Sequence, residues 1–241
     1  RLDQREQQKI GFPWSLEMVE RSRRSVGATL AAAWTALREG VSLNLAGGTH
    51  HAFYDRGEGF CVFNDVVVSA RDLQAEAGLG RILVVDTDVH QGNGTAALTR
   101  NDPTIYAFSI HGAKNYPLRK ETSDLDIALV DQATDELYLD ALEGGLLQAL
   151  EESAPEFVFL ISGADPYKED RLGRLAMTQQ GLARRDELVL STLADAGLPV
   201  AVTMGGGYAP NIEEIVNIHL TTVRTATQVQ PRLRPLPRPR P

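Results

Sequence analysis

The chain has 241 residues, with 24 basic against 32 acidic side chains and a formal net charge of −8. That balance argues against direct nucleic-acid binding. The single cysteine, Cys61, excludes a disulfide framework or a cysteine-rich metal site, and no run approaches the ~18 apolar residues of a membrane span.

Residues 1–14 are polar and end in Gly11-Phe12-Pro13-Trp14. The opening is too polar for a signal peptide, so the expected compartment is the cytoplasm. Ser15 caps a helix reaching about Arg38, with Val19, Val26, Leu30, Ala33, Trp34 and Leu37 near helical spacing. Val41 to Leu45 alternates as a strand and runs into Gly47-Gly48-Thr49-His50-His51. Adjacent histidines occur on ordinary polar turns, but they also suit general acid–base work near neutral pH.

Gly57 to Phe63 is a glycine-spaced aromatic loop, and Asn64 caps a helix that Gly78 ends. Cys61 lies between Phe60 and Val62 with no adjoining base, so it reads as a buried structural thiol. The β-branched run 81–85 is a buried strand, followed by Asp86-Thr87-Asp88-Val89-His90-Gln91-Gly92-Asn93-Gly94. Asp88 and His90 are two apart, which in extended backbone points both side chains the same way. An oxygen and an imidazole nitrogen suit a borderline divalent ion. Taken alone, the motif divides about evenly between such a pair and a polar turn.

A short helix over 95–100 and a strand over 104–110 follow, and 112–133 reads as one long loop. Thr134 caps a helix to about Ser153, weakened in its middle by Gly144-Gly145. Phe157 to Ile161 is a fully apolar strand of the type found at the centre of a parallel sheet. It ends in Ser162-Gly163-Ala164-Asp165, and Asp165 is a third candidate ligand or, alone, a turn residue. A helix from Thr178 to about Ala196, a strand over 199–204, Gly205-Gly206-Gly207-Tyr208 and a last helix to about Thr227 complete the pattern. Residues 228–241 are expected to be a disordered Pro/Arg-rich tail, separate from a domain over 1–227.

Strands alternate with helices, which predicts an α/β fold: a single three-layer domain with a mostly parallel sheet flanked by helices. In such sheets ligands bind beyond the carboxyl ends of the strands. His50/His51, Asp88/His90, Asp165 and Tyr208 all fall just past predicted strands. Four separate turns carrying such groups point to one active site.

The segments GGTHHA, GFCVFND, VVDTDVHQGNG, SGADPYKEDRLG and GGGY, in this order, resemble the zinc-dependent histone deacetylase superfamily of the arginase/deacetylase fold. The likeness spans roughly residues 10–227 and looks closest to the class IV branch. It implies that Asp88, His90 and Asp165 hold one Zn²⁺. It also implies that His50 and His51 lie against the metal-bound water, with Asp86 orienting His50 and Asn93 beside His51, and that Tyr208 donates to the scissile carbonyl. Gly59, Phe60 and Leu172 would line the acyl-lysine tunnel, and Asp86, Asp88, His90 and Ser109 would hold K⁺. Family members carry a further N-terminal segment with a first strand and a rim loop, so the N-terminal part of the domain is expected to be missing.

The expected function is hydrolytic removal of an acyl group, in the first instance acetyl, from lysine of a peptide or protein or from a small amine. An arginase-like manganese ureohydrolase would need two metals and a further Asp-rich cluster, which Pro166-Tyr167 does not supply. An inactive metal-binding scaffold would not need His50, His51 and Tyr208. The sequence leaves oligomeric state open.

Overall fold

Alternation of short apolar runs with amphipathic stretches produces the architecture seen in a computed structural model, which describes residues 2–233. Its strands are β1 (Val41–Asn44), β2 (Ile82–Asp86), β3 (Ile105–Gly112), β4 (Leu125–Leu129), β5 (Phe157–Ser162) and β6 (Val200–Met204). All adjacent pairs are parallel, in the order β1-β6-β5-β2-β3-β4. The helices are α1 (Gln4–Ile10), α2 (Leu16–Glu39), α3 (Asp65–Ala77), α4 (Asn93–Thr99), α5 (Asp135–Ser153), α6 (Gln179–Asp195) and α7 (Ile212–Val229).

Side chains alternate across a strand, and the two cores follow that alternation. Leu83, Val85, Val158 and Leu160 face α5, α6 and α7 through Leu142, Val189 and Ile218. Ile82, Val84, Phe157 and Phe159 face α2 and α3 through Ala33, Val66 and Leu73. Both faces of β2 and β5 are therefore dry, as their unbroken apolar runs require. Caps fix the helix starts: the side chains of Ser15, Asn64 and Thr178 accept backbone N–H groups of their first turns.

The structure departs from the sequence-based expectations at both ends and in one loop. Residues 4–10 form α1, opened by an Asp3/Glu6 capping box, a signal present in the sequence but masked by the polarity of the segment. The stretch 112–133 contains β4, an edge strand with Leu125, Ile127 and Leu129 on alternate positions. Past Thr227, α7 continues to Val229, a 3₁₀ turn covers Gln230–Arg232, and Leu233 packs on Gly40. Order thus extends beyond the expected boundary at 227, because Val229 and Leu233 are apolar and bury against the core. The remaining residues of the expected tail, 234–241, lie outside the described residues. Gly145 does not weaken α5 idly: a Cβ there would meet Phe108 and Ile127 at under 2.8 Å. No helix among the described residues is long and apolar enough to cross a membrane.

Candidate active site

Every group singled out after a strand lies at the carboxyl edge of the sheet, on the turns that leave β1, β2, β5 and β6. The adjacency of β5 and β2 brings Asp165 to Asp88 and His90. Ligand atoms of these three buried residues all lie within 4.8 Å of one another. His90 Nδ1 is 3.0 Å from Asp88 Oδ1 and 3.0 Å from Asp165 Oδ2. The backbone holds the remaining oxygens in place: Gly206 N–H donates to Asp88 Oδ2 at 2.6 Å and Val89 N–H to Asp165 Oδ1 at 2.9 Å. Gly206 is obligatory at this approach, since a Cβ would overlap the Asp165 carboxylate and meet the Tyr208 ring at 2.9 Å.

The donor set fits a divalent cation. Burial pushes the Asp165 carboxyl up, with Asp88 adding to the effect. Burial also opposes a charge on His90, yet Asp165 and Asp88 override it and push that imidazole up to about 11. Two buried carboxylates converging on one ring nitrogen create a demand for positive charge that a borderline metal with N and O ligands meets.

Beside this triad stand the two histidines, with centroids 4.1 Å apart. Asp86 Oδ2 lies 2.6 Å from His50 Nδ1, and Asn93 Oδ1 lies 2.7 Å from His51 Nδ1. Asp86 also accepts from Asp88 N–H, so one carboxylate ties the histidine turn to the ligand turn. Burial disfavours a charged His50, but Asp86 and Asp88 outweigh it and raise its pKa to about 9. For His51, burial and the neighbouring His50 act together and push it well below the ordinary imidazole value. One ring is stabilised as a cation and the other as a neutral base.

Tyr208 follows the three glycines and is held by its own N–H, which donates to Asp170 Oδ2 at 2.6 Å. Its ring stands 6.4 Å from that of His90 and 6.2 Å from that of Phe60. Burial, with Asp88 and Asp165, raises the phenol pKa further, so its hydroxyl remains a donor. Gly59 has φ +52° and lies against the His51 ring, and Phe60 at φ 65° is forced into the left-handed region. The strained turn thereby brings Phe60 beside Tyr208. Cys61 is buried, donates to Gly59 O, and has its thiol pKa pushed up by burial, which fits the expected structural role.

Two cavities meet at this cluster. One of about 340 Å³ is lined by Gly47, Gly48, Met204 and Gly206 and reaches the exposed Arg21 and Leu45. The other, of about 410 Å³, opens outward between Phe60, Tyr116, Leu172 and Tyr208. Gly59, Phe60 and Leu172 all line the outer one, and Gly59 and Phe60 also line the first. Ser109 pairs in register with Asp86 and its hydroxyl contacts His111 Nδ1 at 3.0 Å. It is therefore adjacent to the Asp86–His90 turn.

Three residues of the site were not singled out from the sequence. Tyr116 packs edge-on against His51 with centroids 4.9 Å apart, and its hydroxyl donates to Glu58 at 2.7 Å. Its sequence signal was an aromatic next to proline in a long loop, which is weak. Asp170 sits within SGADPYKEDRLG, but nothing in that string shows that it binds the Tyr208 backbone. Arg185 is fully buried beneath the turns after β2 and β5, in a helix where its neighbours Arg184 and Glu187 are also charged. Its Nη1 donates to Gly163 O at 2.5 Å and Thr87 O at 3.4 Å, and its Nη2 donates to Ser162 Oγ at 2.7 Å.

A parallel α/β sheet gathers buried acid and imidazole groups and a half-buried phenol on its carboxyl edge. The sequence profile of the histone deacetylase domain matches residues 3–223, and the chain belongs to that family. It is 46% identical over 228 residues to an uncharacterised protein of Picosynechococcus, covering 95% of this chain and 76% of that one. Histone deacetylase 2 of Arabidopsis thaliana is 29% identical over 213 residues, covering 87% of this chain and 53% of its own length. A probable deacetylase of Methanothermobacter thermautotrophicus is 31% identical over 203 residues, covering 78% and 60%. The chain thus spans little more than half the length of these last two relatives. Among solved structures, acetylpolyamine aminohydrolase of Burkholderia pseudomallei superposes with a TM-score of 0.72 at 25% identity, over 85% of this chain and 62% of that one. The HDA15 HD domain superposes with a TM-score of 0.71 at 23% identity, over 89% and 68%, which supports the fold.

Proposed function

We propose that the protein is a zinc-dependent amidohydrolase that removes an acyl group, acetyl in the first instance, from an amine such as the lysine side chain. The observation that carries this reading is the unequal pairing of the two histidines: His50 has a carboxylate partner and His51 an amide. An amide oxygen only accepts, so His51 Nδ1 carries the proton and its Nε2 lone pair is left for the reaction. Binding alone would not need that asymmetry.

Asp88, His90 and Asp165 would hold the zinc, leaving positions open as a three-ligand catalytic site requires. When bound, zinc polarises the amide carbonyl and brings the pKa of water to near 7. His51 takes the proton of the attacking water at Nε2 and delivers it to the leaving amine. Asp86 keeps His50 cationic, and His50 supplies positive potential next to the charge that develops. The Tyr208 hydroxyl donates to the carbonyl oxygen as it becomes an oxyanion. Phe60, Tyr116 and Leu172 exclude water from the acyl-lysine stem, which strengthens each of these interactions. The resemblance extends to a potassium ion on Asp86, Asp88, His90 and Ser109, and the adjacency of Ser109 to the ligand turn is compatible with it.

Release of acetate from an N-ε-acetyl-lysine peptide by the zinc-loaded protein tests the proposal, with metal content measured in parallel. Turnover that survives His51→Ala unchanged would remove His51 as the proton carrier. One equivalent of bound zinc with no turnover of any acylated amine would favour the scaffold reading.

A further inference from the structure

The outer cavity carries a charge pattern that its role as a tunnel does not require. Besides its apolar and catalytic walls it is lined by Lys114, Arg171 and Arg174, and by no aspartate or glutamate. All three cations are exposed, on a chain whose net charge is −8. The nearest carboxylates are already committed. Asp131 is shared by Lys114 at 3.6 Å and Arg174 at 2.9 Å. Asp170 accepts the backbone N–H groups of Leu172, Gly173 and Tyr208. Glu58 accepts from Arg56 and from the Tyr116 hydroxyl. Arg171 has no ion-pair partner among the described residues.

Resting on the deacylase reading above, we propose that this mouth selects acyl-lysine in an acidic peptide segment and rejects acetylated polyamines. A polyamine must bring its remaining ammonium groups past the three cations, and no carboxylate in the cavity wall receives them. A peptide with Asp or Glu beside the acyl-lysine places its charge where Arg171 has a free guanidinium, the better partner for a planar carboxylate. Lys114 and Arg174 share one acid between them, so the pair retains a surplus positive charge. At an exposed rim such attraction acts mainly on encounter and is screened over about 10 Å at 0.1 M salt.

The test compares kcat/KM of the zinc-loaded protein for N-ε-acetyl-lysine peptides of one length flanked by Glu, Gln or Lys, and for N1-acetylspermidine. Binding of the same peptides, fluorescently labelled, is measured in parallel by anisotropy on the metal-free protein. The expected order is Glu, then Gln, then Lys, with acetylspermidine last. A gap of roughly tenfold between the Glu and Lys peptides should close as salt is raised towards 1 M, where screening reaches ~3 Å. Arg171→Glu should invert the order of Glu and Lys peptides in both assays. Equal rates for all peptides, a faster Lys peptide or preferred acetylspermidine would overturn the proposal. Absence of turnover on every substrate removes the deacylase reading instead, and the anisotropy order then decides the charge preference by itself.

Discussion

Two buried polar clusters lie on either side of the same two turns, and they are built to opposite rules. Beneath the turns, Arg185 is paired with Asp186 at 2.8 Å, and Asp186 is further bonded by Ser162 at 3.1 Å and Thr222 at 2.5 Å. Charge is balanced there and the donors are spent on Thr87 O, Gly163 O and Ser162. Above the turns, Asp88, His90 and Asp165 bring two carboxylates to one imidazole, with burial raising Asp165. The lower cluster is finished by its own residues, whereas the upper one is complementary to something cationic. Residue type and depth do not separate structure from function here; the local charge balance does.

The sharpest way to break this contrast is Asp165→Ala. Metal affinity, measured by chelator competition, should fall by more than the ~10–100-fold that loss of an outer partner costs. The metal-free protein should melt only slightly lower, because relief of a buried carboxylate offsets the loss of the acceptor for Val89 N–H. A large drop in the metal-free melting temperature would place Asp165 with the structural cluster. Arg185→Met should do the reverse. Leaving Asp186 buried without its partner costs about 3–5 kcal/mol in denaturant unfolding. The double variant Arg185→Met with Asp186→Leu should recover most of that loss, since a buried ion pair is replaceable by apolar side chains of similar volume.

Tyr208→Phe separates chemistry from both clusters. Loss of one oxyanion donor should lower kcat by about 10²–10³, or ~2.7–4 kcal/mol, with metal content unchanged. Near-normal kcat would leave Tyr208 as a loop aromatic. The smallest effect is expected at Asn64→Ala. That change removes the cap whose Oδ1 accepts Val67 N–H at 3.1 Å and the buried bond from its Nδ2 to Thr95 Oγ1 at 3.0 Å, and should cost about 1–2 kcal/mol of stability with little change in metal affinity.

The upper cluster was legible in the sequence and the lower one was not, for a physical reason. Asp88, His90, Asp165, His50, His51 and Tyr208 each follow an apolar strand and sit among glycines, so the strand period itself assigns them to one edge of the sheet. Arg185 and Asp186 lie mid-helix among Arg184 and Glu187, where charged residues ordinarily face water. Only the packing of α6 over β2 and β5 shows that these two turn inward. Tyr116 escaped notice because its wall position depends on how a long loop folds back on His51. The same loop contains β4, whose alternation of Leu125, Ile127 and Leu129 is only five residues long, too short to stand out in a stretch otherwise without periodicity.

The strand order also has a consequence for biosynthesis. The turns carrying Asp88, His90 and Asp165 leave β2 and β5, which are neighbours, but the histidine turn leaves β1, among the described residues an edge strand paired with β6 from Val41–Val200 to Asn44–Thr203. His50 and His51 precede Asp88 and Asp165 in the chain, yet their strand gains its partner only once β6, Val200–Met204, has been made. Closing so long a loop is among the slower events of folding. Pulse-labelling hydrogen exchange during refolding should therefore show β2 and β5 protected before β1. The turns carrying Asp88, His90 and Asp165 are then assembled ahead of the one carrying His50 and His51, and on the proposed mechanism activity would arrive last.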